Sequence, residues 1–218
     1  MSVSFKNIQK IYSNNSKPII RNLNLEIENG EFLALTGPSG SGKSTVLRML
    51  AGLESATSGE IFIDKKKVTK LSPRERNISM VFQQFSLYPY MSVAKNMAFP
   101  LKILGINNSE IKSNVEKVAQ ELELTELLDR NSQFLSSGQK RRVAIGRALV
   151  RIIAKKPKVF LLDEPLANLD VKLKSKICLQ IAALQRKLKI TTIYVTHDKA
   201  EILQTADRTV VLNKGVLQ

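Results

Sequence analysis

Residues 37–45 read GPSGSGKST. Gly37, Pro38, Ser39, Gly40, Ser41, Gly42, Lys43 and Ser44 fit the pattern G-x-x-x-x-G-K-[ST] in full, with Thr45 directly behind. Glycines in such a loop let backbone N–H groups turn inward around phosphate oxygens, and the N-terminus of a following helix adds a favourable dipole. Lys43 is placed to reach β- and γ-phosphates, and Ser44 to hold Mg²⁺ through its hydroxyl. A second chemical locus closes the segment VFLLDEP. There Asp163 is expected to bind Mg²⁺, through water, and Glu164 to polarise an attacking water as general base, a role typically worth ~10²–10⁴-fold in rate. The simpler reading is a capping Asp beside a solvated Glu, which Pro165 disfavours by blocking a helix immediately behind them.

These residues need elements to hold them. FLALT at 32–36 is continuously apolar, as a parallel strand buried on both faces is, and it runs straight into the glycine loop. Val46, Leu47, Met49 and Leu50 begin a helix behind that loop, so the motif has its strand–loop–helix context. Upstream, VSFKNI and PIIRNLNLEI alternate apolar and polar residues like half-buried antiparallel strands, and Asn29-Gly30 supplies a turn. From 92 to 154 the pattern becomes helical, with a stripe of Ile111, Val115, Val118, Ala119 and Leu122. VFLL then precedes a helix whose expected apolar face is Leu173, Ile177, Ile181, Leu184 and Leu188. TTIYVT reads as another buried strand, and RTVVLN up to Gly215 as the start of a terminal hairpin. Strand and helix in alternation imply a parallel sheet with helices on its faces, the central helical block being an insertion.

Composition sets the outer limits. A chain of 218 residues suits one compact domain with a substantial core. No run approaches the ~20 apolar residues a membrane span needs, and MSVSFKNIQK is not a secretory signal, so a soluble cytoplasmic chain is expected. Cys178, the single cysteine, fits a reducing compartment and reads as a small apolar filler on a helix. The formal net charge of +15 admits nucleic acid, an anionic membrane face, or a Lys-rich bias without a partner. Basic residues are scattered rather than interleaved with aromatics on one element, so no nucleic acid is expected and the last two readings are favoured.

The order LSSGQKRRVAIGRAL, VFLLDEP and ANLD, downstream of the phosphate loop, resembles the ABC ATPase family over nearly the whole chain. That resemblance implies an α/β fold: a P-loop NTPase (RecA-like) parallel-sheet core with an N-terminal antiparallel β subdomain and an inserted α-helical subdomain. Within one ABC ATPase domain, 1–218, the core and β subdomain are then 1–90 and 157–218, and the helical subdomain is 91–156. It further implies an ATP site built from two copies. Ser136, Ser137, Gly138 and Gln139 correspond to the signature that grips the γ-phosphate bound by the other copy, or else form an ordinary N-capping pair. The family usually has Gly where Ser137 stands; if that position needs φ > 0, Ser is strained there. By the same resemblance Gln83 in MVFQQ is the Q-loop glutamine that touches Mg²⁺. His197, the only histidine, is the switch residue on the γ-phosphate. Asp170 is the D-loop aspartate, a helix N-cap, or both. Tyr12 is the aromatic stacked on adenine, or a core residue. Between the signature helix and VFLL this chain carries about one helical turn more than the family, and Ile152 and Ile153 continue the Ile145 and Leu149 stripe, so a longer helix is expected.

LYPYMSVAKNMAFPLKILG and GLESATSGEIFID are similar to segments of carbohydrate and glycerol-phosphate importer ATPases. The implied role is ATP binding and hydrolysis, with Mg²⁺, at the cytoplasmic face of the cell membrane. The implied partners are transmembrane permease subunits, through them a solute-binding protein, and a second copy or paired ATPase subunit. Those importers continue into a β-rich regulatory domain beyond the point where this sequence stops, so the chain is either a fragment or free of that regulation. The alternatives are a non-transport ABC ATPase acting on ribosome or DNA, and a non-hydrolysing copy paired with an active one.

Overall fold

Alternating apolar residues near the N-terminus fold as antiparallel strands β1 (Val3–Lys10) and β2 (Ile20–Ile27), in a computed structural model that describes residues 2–13, 17–84, 86–167 and 169–218. Val3, Phe5 and Ile8 of the first strand and Leu23, Leu25 and Ile27 of the second are buried. Asn29 and Gly30 make the turn into β3 (Phe32–Thr36), and the glycine loop leads into α1 (Lys43–Ala51). Two strands with no clear sequence signal, β4 (Ser58–Ile63) and β5 (Lys66–Lys67), complete an antiparallel sheet of order β2-β1-β4-β5. β6 (Ile78–Val81) follows.

The chain divides into two compact units, one of residues 1–80, 158–164 and 178–218, the other of 81–157 and 165–177. Three helices dominate the second: α2 (Val93–Ile103), α3 (Asn108–Glu121) and α4 (Ser137–Ala154). Ser92 and Asn107 cap the first two by accepting from Lys95 N and Glu110 N. The predicted stripe of Ile111, Val115, Val118, Ala119 and Leu122 is buried. α4 comes close because Gly146 carries no side chain: a Cβ there would lie 2.9 Å from Met97 Cε and 3.1 Å from Leu122 Cδ1. The additional turn is helical through Ala154, with Ile152 buried and Ile153 half-buried.

In the first unit, β7 (Val159–Asp163) is buried along its whole length. α5 (Val171–Leu188), which runs from the second unit into the first, buries Ile177, Cys178, Ile181, Ala182 and Gln185, whereas Leu173, Leu184 and Leu188 are only half-buried. Its inner face is rotated from the expected one because the Gln185 amide donates to Gly30 O at 2.6 Å and Ile190 O at 2.9 Å, which turns a polar residue inward. β8 (Thr191–Val195), the short α6 (Lys199–Thr205), β9 (Arg208–Asn213) and β10 (Val216–Leu217) finish the chain, the last two as the predicted hairpin. The second sheet has order β10-β9-β3-β8-β7-β6, with β3 parallel to β8 and β9, and β7 parallel to β8. Leu33, Leu35, Leu47, Leu50, Leu161, Ile193 and Val195 form its core with Phe5 and Ile61. The C-terminal ends of the adjacent strands β3, β8 and β7 therefore point the same way, the edge at which open α/β sheets bind ligands.

Candidate functional site

At the end of β3 the glycine loop turns on two backbone positions that exclude a side chain. Gly37 has φ of 139°, and a Cβ would lie 2.0 Å from Leu212 O. Gly42, the N-cap of α1, has φ of 104°, and a Cβ would meet Ile20 Cδ1 at 2.5 Å. Pro38, Ser39 and Gly40 form the exposed tip, while Ser41 is buried. Lys43 Nζ donates to the carbonyls of Gly37 and Pro38, both at 2.9 Å, so the ammonium is held inside the loop. The first turn of α1 has no acidic residue and its N-cap makes no side-chain bond, which leaves the positive end of the helix dipole available to an anion.

Ser44 Oγ donates to Asp163 Oδ1 at 3.0 Å, joining the start of α1 to the end of β7. Asp163 is 2% exposed, and burial raises its carboxyl above the ordinary value against the opposing Ser44 hydrogen bond. Two hard oxygen donors at the mouth of a phosphate loop fit Mg²⁺, which is held by one or two carboxylates plus substrate phosphates. Among the described residues no group of three or more His, Cys, Asp or Glu gathers as a metal cage. Glu164 follows with φ of 45°, a left-handed conformation unusual for a residue other than glycine, and its N–H donates to Val195 O at 3.0 Å. The Glu164 carboxylate meets a different partner from the Asp163 side chain. It stands 3.5 Å from Nδ1 of His197, two residues beyond β8, whose side chain is 74% exposed.

Tyr12, beyond β1, is half-buried, and its hydroxyl lies 3.5 Å from Thr45 Oγ1, near the phosphate-loop helix. Sequence reasoning missed what stands against it. Lys10 Nζ lies 4.7 Å from the Tyr12 ring centroid and is itself fixed by Glu54 at 2.6 Å and Ser55 O at 2.7 Å. No local pattern marks Lys10 or Glu54.

The second unit carries the other predicted residues. Gln83 lies exposed in the bend after β6. Ser136 is the N-cap of α4: its hydroxyl accepts from Gln139 N at 3.2 Å and the Gln139 side chain accepts from Ser136 N at 2.9 Å, a complete capping box. Ser137 is the first helical residue and does not have positive φ, so the strain considered for a Ser in the family's Gly position is not present. The first turn of α4 is also free of acidic residues, and among the described residues only the Leu169 side chain lies near Gly138, at 3.6 Å from a Cβ position. Asp170 caps α5, its Oδ1 accepting from Leu173 N at 2.9 Å; Asn168 of the same ANLD segment lies outside the described residues. A residue not anticipated, Arg147 of α4, donates to Ser86 O at 2.8 Å and lies 5.9 Å from the Tyr88 ring.

The chain is also similar to known proteins. The family described as ABC transporter matches residues 20–167. The chain is 54% identical to the diacetylchitobiose uptake system ATP-binding protein MsiK of Streptomyces coelicolor, over 100% of the chain and 56% of that protein. It is 53% identical to the sn-glycerol-3-phosphate import ATP-binding protein UgpC of Bordetella avium, over 99% of the chain and 58% of that protein. It thus spans little more than half the length of these curated relatives. Among solved structures, the dimeric post-hydrolysis state of the ATP-binding cassette MJ0796 bound to ADP and Pi superposes with a TM-score of 0.90 at 33% identity, over 99% of this chain and 96% of that one.

Proposed function

Because the chain belongs to the ABC transporter family, we propose that it is the ATP-binding and ATP-hydrolysing subunit of an importer for a sugar or related small solute. The observation that carries this reading is the convergence of Ser44, Asp163, Glu164 and His197 at the ends of three neighbouring strands of one sheet. Lys43 exchanges the loop carbonyls for phosphate oxygens, and the N–H groups of residues 37–45 cradle the rest. Mg²⁺, when bound, neutralises charge on the phosphates; Ser44 and Asp163 are its proposed ligands, with Gln83 added on the family resemblance. Glu164 takes up a proton from the attacking water as that oxygen bonds to the γ-phosphorus, and ADP leaves with the electrons of the broken P–O bond. His197 donates a hydrogen bond to the γ-phosphoryl group, and Tyr12 stacks on adenine.

The signature helix supplies the element one copy lacks. With an exposed N-terminus and no acid in its first turn, α4 suits a γ-phosphate bound by a second copy. Two chains closing head-to-tail around two ATP molecules drive permease subunits at the cytoplasmic face, and through them a solute-binding protein. Among the described residues no helix is long and apolar enough to cross a membrane.

The test is ATP hydrolysis by the pure chain beside Glu164→Gln, with light scattering in ATP. Turnover by the wild type and an ATP-dependent dimer of the variant are expected. Equal inactivity of both while ATP still binds overturns the enzymatic reading. Co-purification from solubilised membranes identifies the permease and with it the cargo.

A further inference from the structure

Glu201 is a carboxylate buried where no substrate contact requires one. It sits on α6 at 5% exposure, and its Oε2 accepts two hydrogen bonds of 2.6 Å, from the Tyr194 hydroxyl and from Thr196 Oγ1. Tyr194 is fully buried at the end of β8, and Thr196, 3% exposed, directly precedes His197. Thr196 Oγ1 also accepts from Asp198 N at 3.1 Å, and Asp198 caps α6 by accepting from Ala200 N at 2.9 Å. The main-chain oxygen of Glu201 accepts in turn from Thr205 Oγ1 at 2.7 Å. The backbone on both sides of His197 is therefore tied to one threonine hydroxyl, and that hydroxyl is tied to one buried carboxylate.

We propose that Glu201 is a positioning residue for His197, holding through Thr196 the turn that presents the imidazole to Glu164 and the γ-phosphate. It rests on the assignment of ATP hydrolysis to this site. The imidazole itself is exposed, so packing does not fix it; its direction depends on the backbone of residues 196–198. A polar group in the interior is costly unless its partners are arranged for it, and a leucine of similar size would fill the space more cheaply. What Glu201 adds over a leucine is direction, through two short hydrogen bonds from the hydroxyls of Tyr194 and Thr196. Burial and the neighbouring Glu201 push the Tyr194 hydroxyl well above its usual range, so it stays protonated and remains a donor.

The sole histidine makes this measurable without reference to activity, since the untagged chain has a single imidazole. Histidine-labelled protein is compared by heteronuclear NMR for the wild type, Thr196→Val, Glu201→Leu and Glu201→Gln. Thr196→Val keeps the branched shape and removes only the hydroxyl. It and Glu201→Leu are expected to shift and broaden the imidazole signals and to lower kcat by about tenfold or more, with KM for ATP within about twofold. Glu201→Gln, which keeps an acceptor oxygen in place, is expected to restore most of both. Unchanged imidazole signals in folded Thr196→Val overturn the proposal, whatever Glu201→Leu does to stability. If the wild type hydrolyses no ATP, the proposed enzymatic function fails, and the imidazole signals still decide whether Glu201 orients His197.

Discussion

His197 Nδ1 stands 3.5 Å from Glu164 Oε1, so residues from the ends of two neighbouring parallel strands face each other over the phosphate-loop side of the sheet. Glu164 has a left-handed backbone, and the two consecutive carboxylates meet different partners. Asp163 is left in the interior on the Ser44 hydroxyl, while the Glu164 side chain is 23% exposed, where it can meet water. Under the proposed function these two adjacent acids have two tasks, one on metal and one on water.

Replacing the second acid separates binding from chemistry. Glu164→Gln is expected to lower ATP turnover by ~10²–10⁴-fold, the usual worth of a general base, while the dissociation constant for ATP stays close to that of the wild type. Phosphate release and nucleotide titration measure the two quantities. An unchanged turnover would remove Glu164 from the reaction.

A histidine that shares its partner's task loses little more when that partner is already gone. His197→Ala is expected to slow turnover substantially, yet added to Glu164→Gln it is expected to cost less than about tenfold further, since groups that act as a unit are non-additive. Single-turnover rates for both single variants and the double variant check this. Fully multiplicative losses would mean the 3.5 Å proximity has no functional content.

How much of this was legible beforehand follows from the range of the interactions. GPSGSGKST and VFLLDEP can be read because the loop conformation and the buried strand are encoded in consecutive residues. The Ser44–Asp163 bond spans 119 positions; motif chemistry assigns both residues to one metal ion, but no pattern in the sequence joins the two. Lys10 against Tyr12, held by Glu54 across 44 positions, left no trace in sequence. β4 was not identified because Phe62 sits between buried Ile61 and Ile63 and hides the two-residue period. α6, with seven residues, is too short to display helical periodicity. The family resemblance supplied the roles of Gln83, Ser137 and Asp170, which their local surroundings do not specify.

The signature serine gives a prediction opposite to the one its rarity suggests. Ser137 is helical without positive φ, so Ser137→Gly relieves nothing and adds backbone freedom to the first turn of α4. A loss of up to about 1 kcal/mol is expected, seen as ~2–4 °C in Tm for a chain of this size. Turnover is expected to stay within about twofold, because the helix N–H groups are unchanged. A higher Tm, or a large gain in turnover, would reveal strain at Ser137.

Asp163 links stability to pH in a direction that distinguishes a functional carboxylate from a structural one. Burial raises its folded-state pKa above the ordinary value, chiefly against the Ser44 hydrogen bond and the charges of Arg48 and Lys43, while the Glu164 carboxylate reinforces the rise. The folded chain therefore binds this proton more tightly than the unfolded chain, and stability falls as pH rises from the unfolded pKa through the folded one. Once ionised, the group is a net cost to the unliganded fold. Asp163→Asn keeps an acceptor for Ser44 and removes the charge. Without nucleotide it is expected to melt above the wild type at neutral pH, and the gap is expected to close as the pH is lowered through the folded pKa. With Mg-ATP the order reverses, since ligand that binds only the folded state stabilises the wild type more strongly. Thermal melts across that pH range, with and without Mg-ATP, measure both effects. An Asn variant less stable than wild type at every pH without nucleotide would mean that the Asp163 carboxylate serves the fold rather than the phosphates.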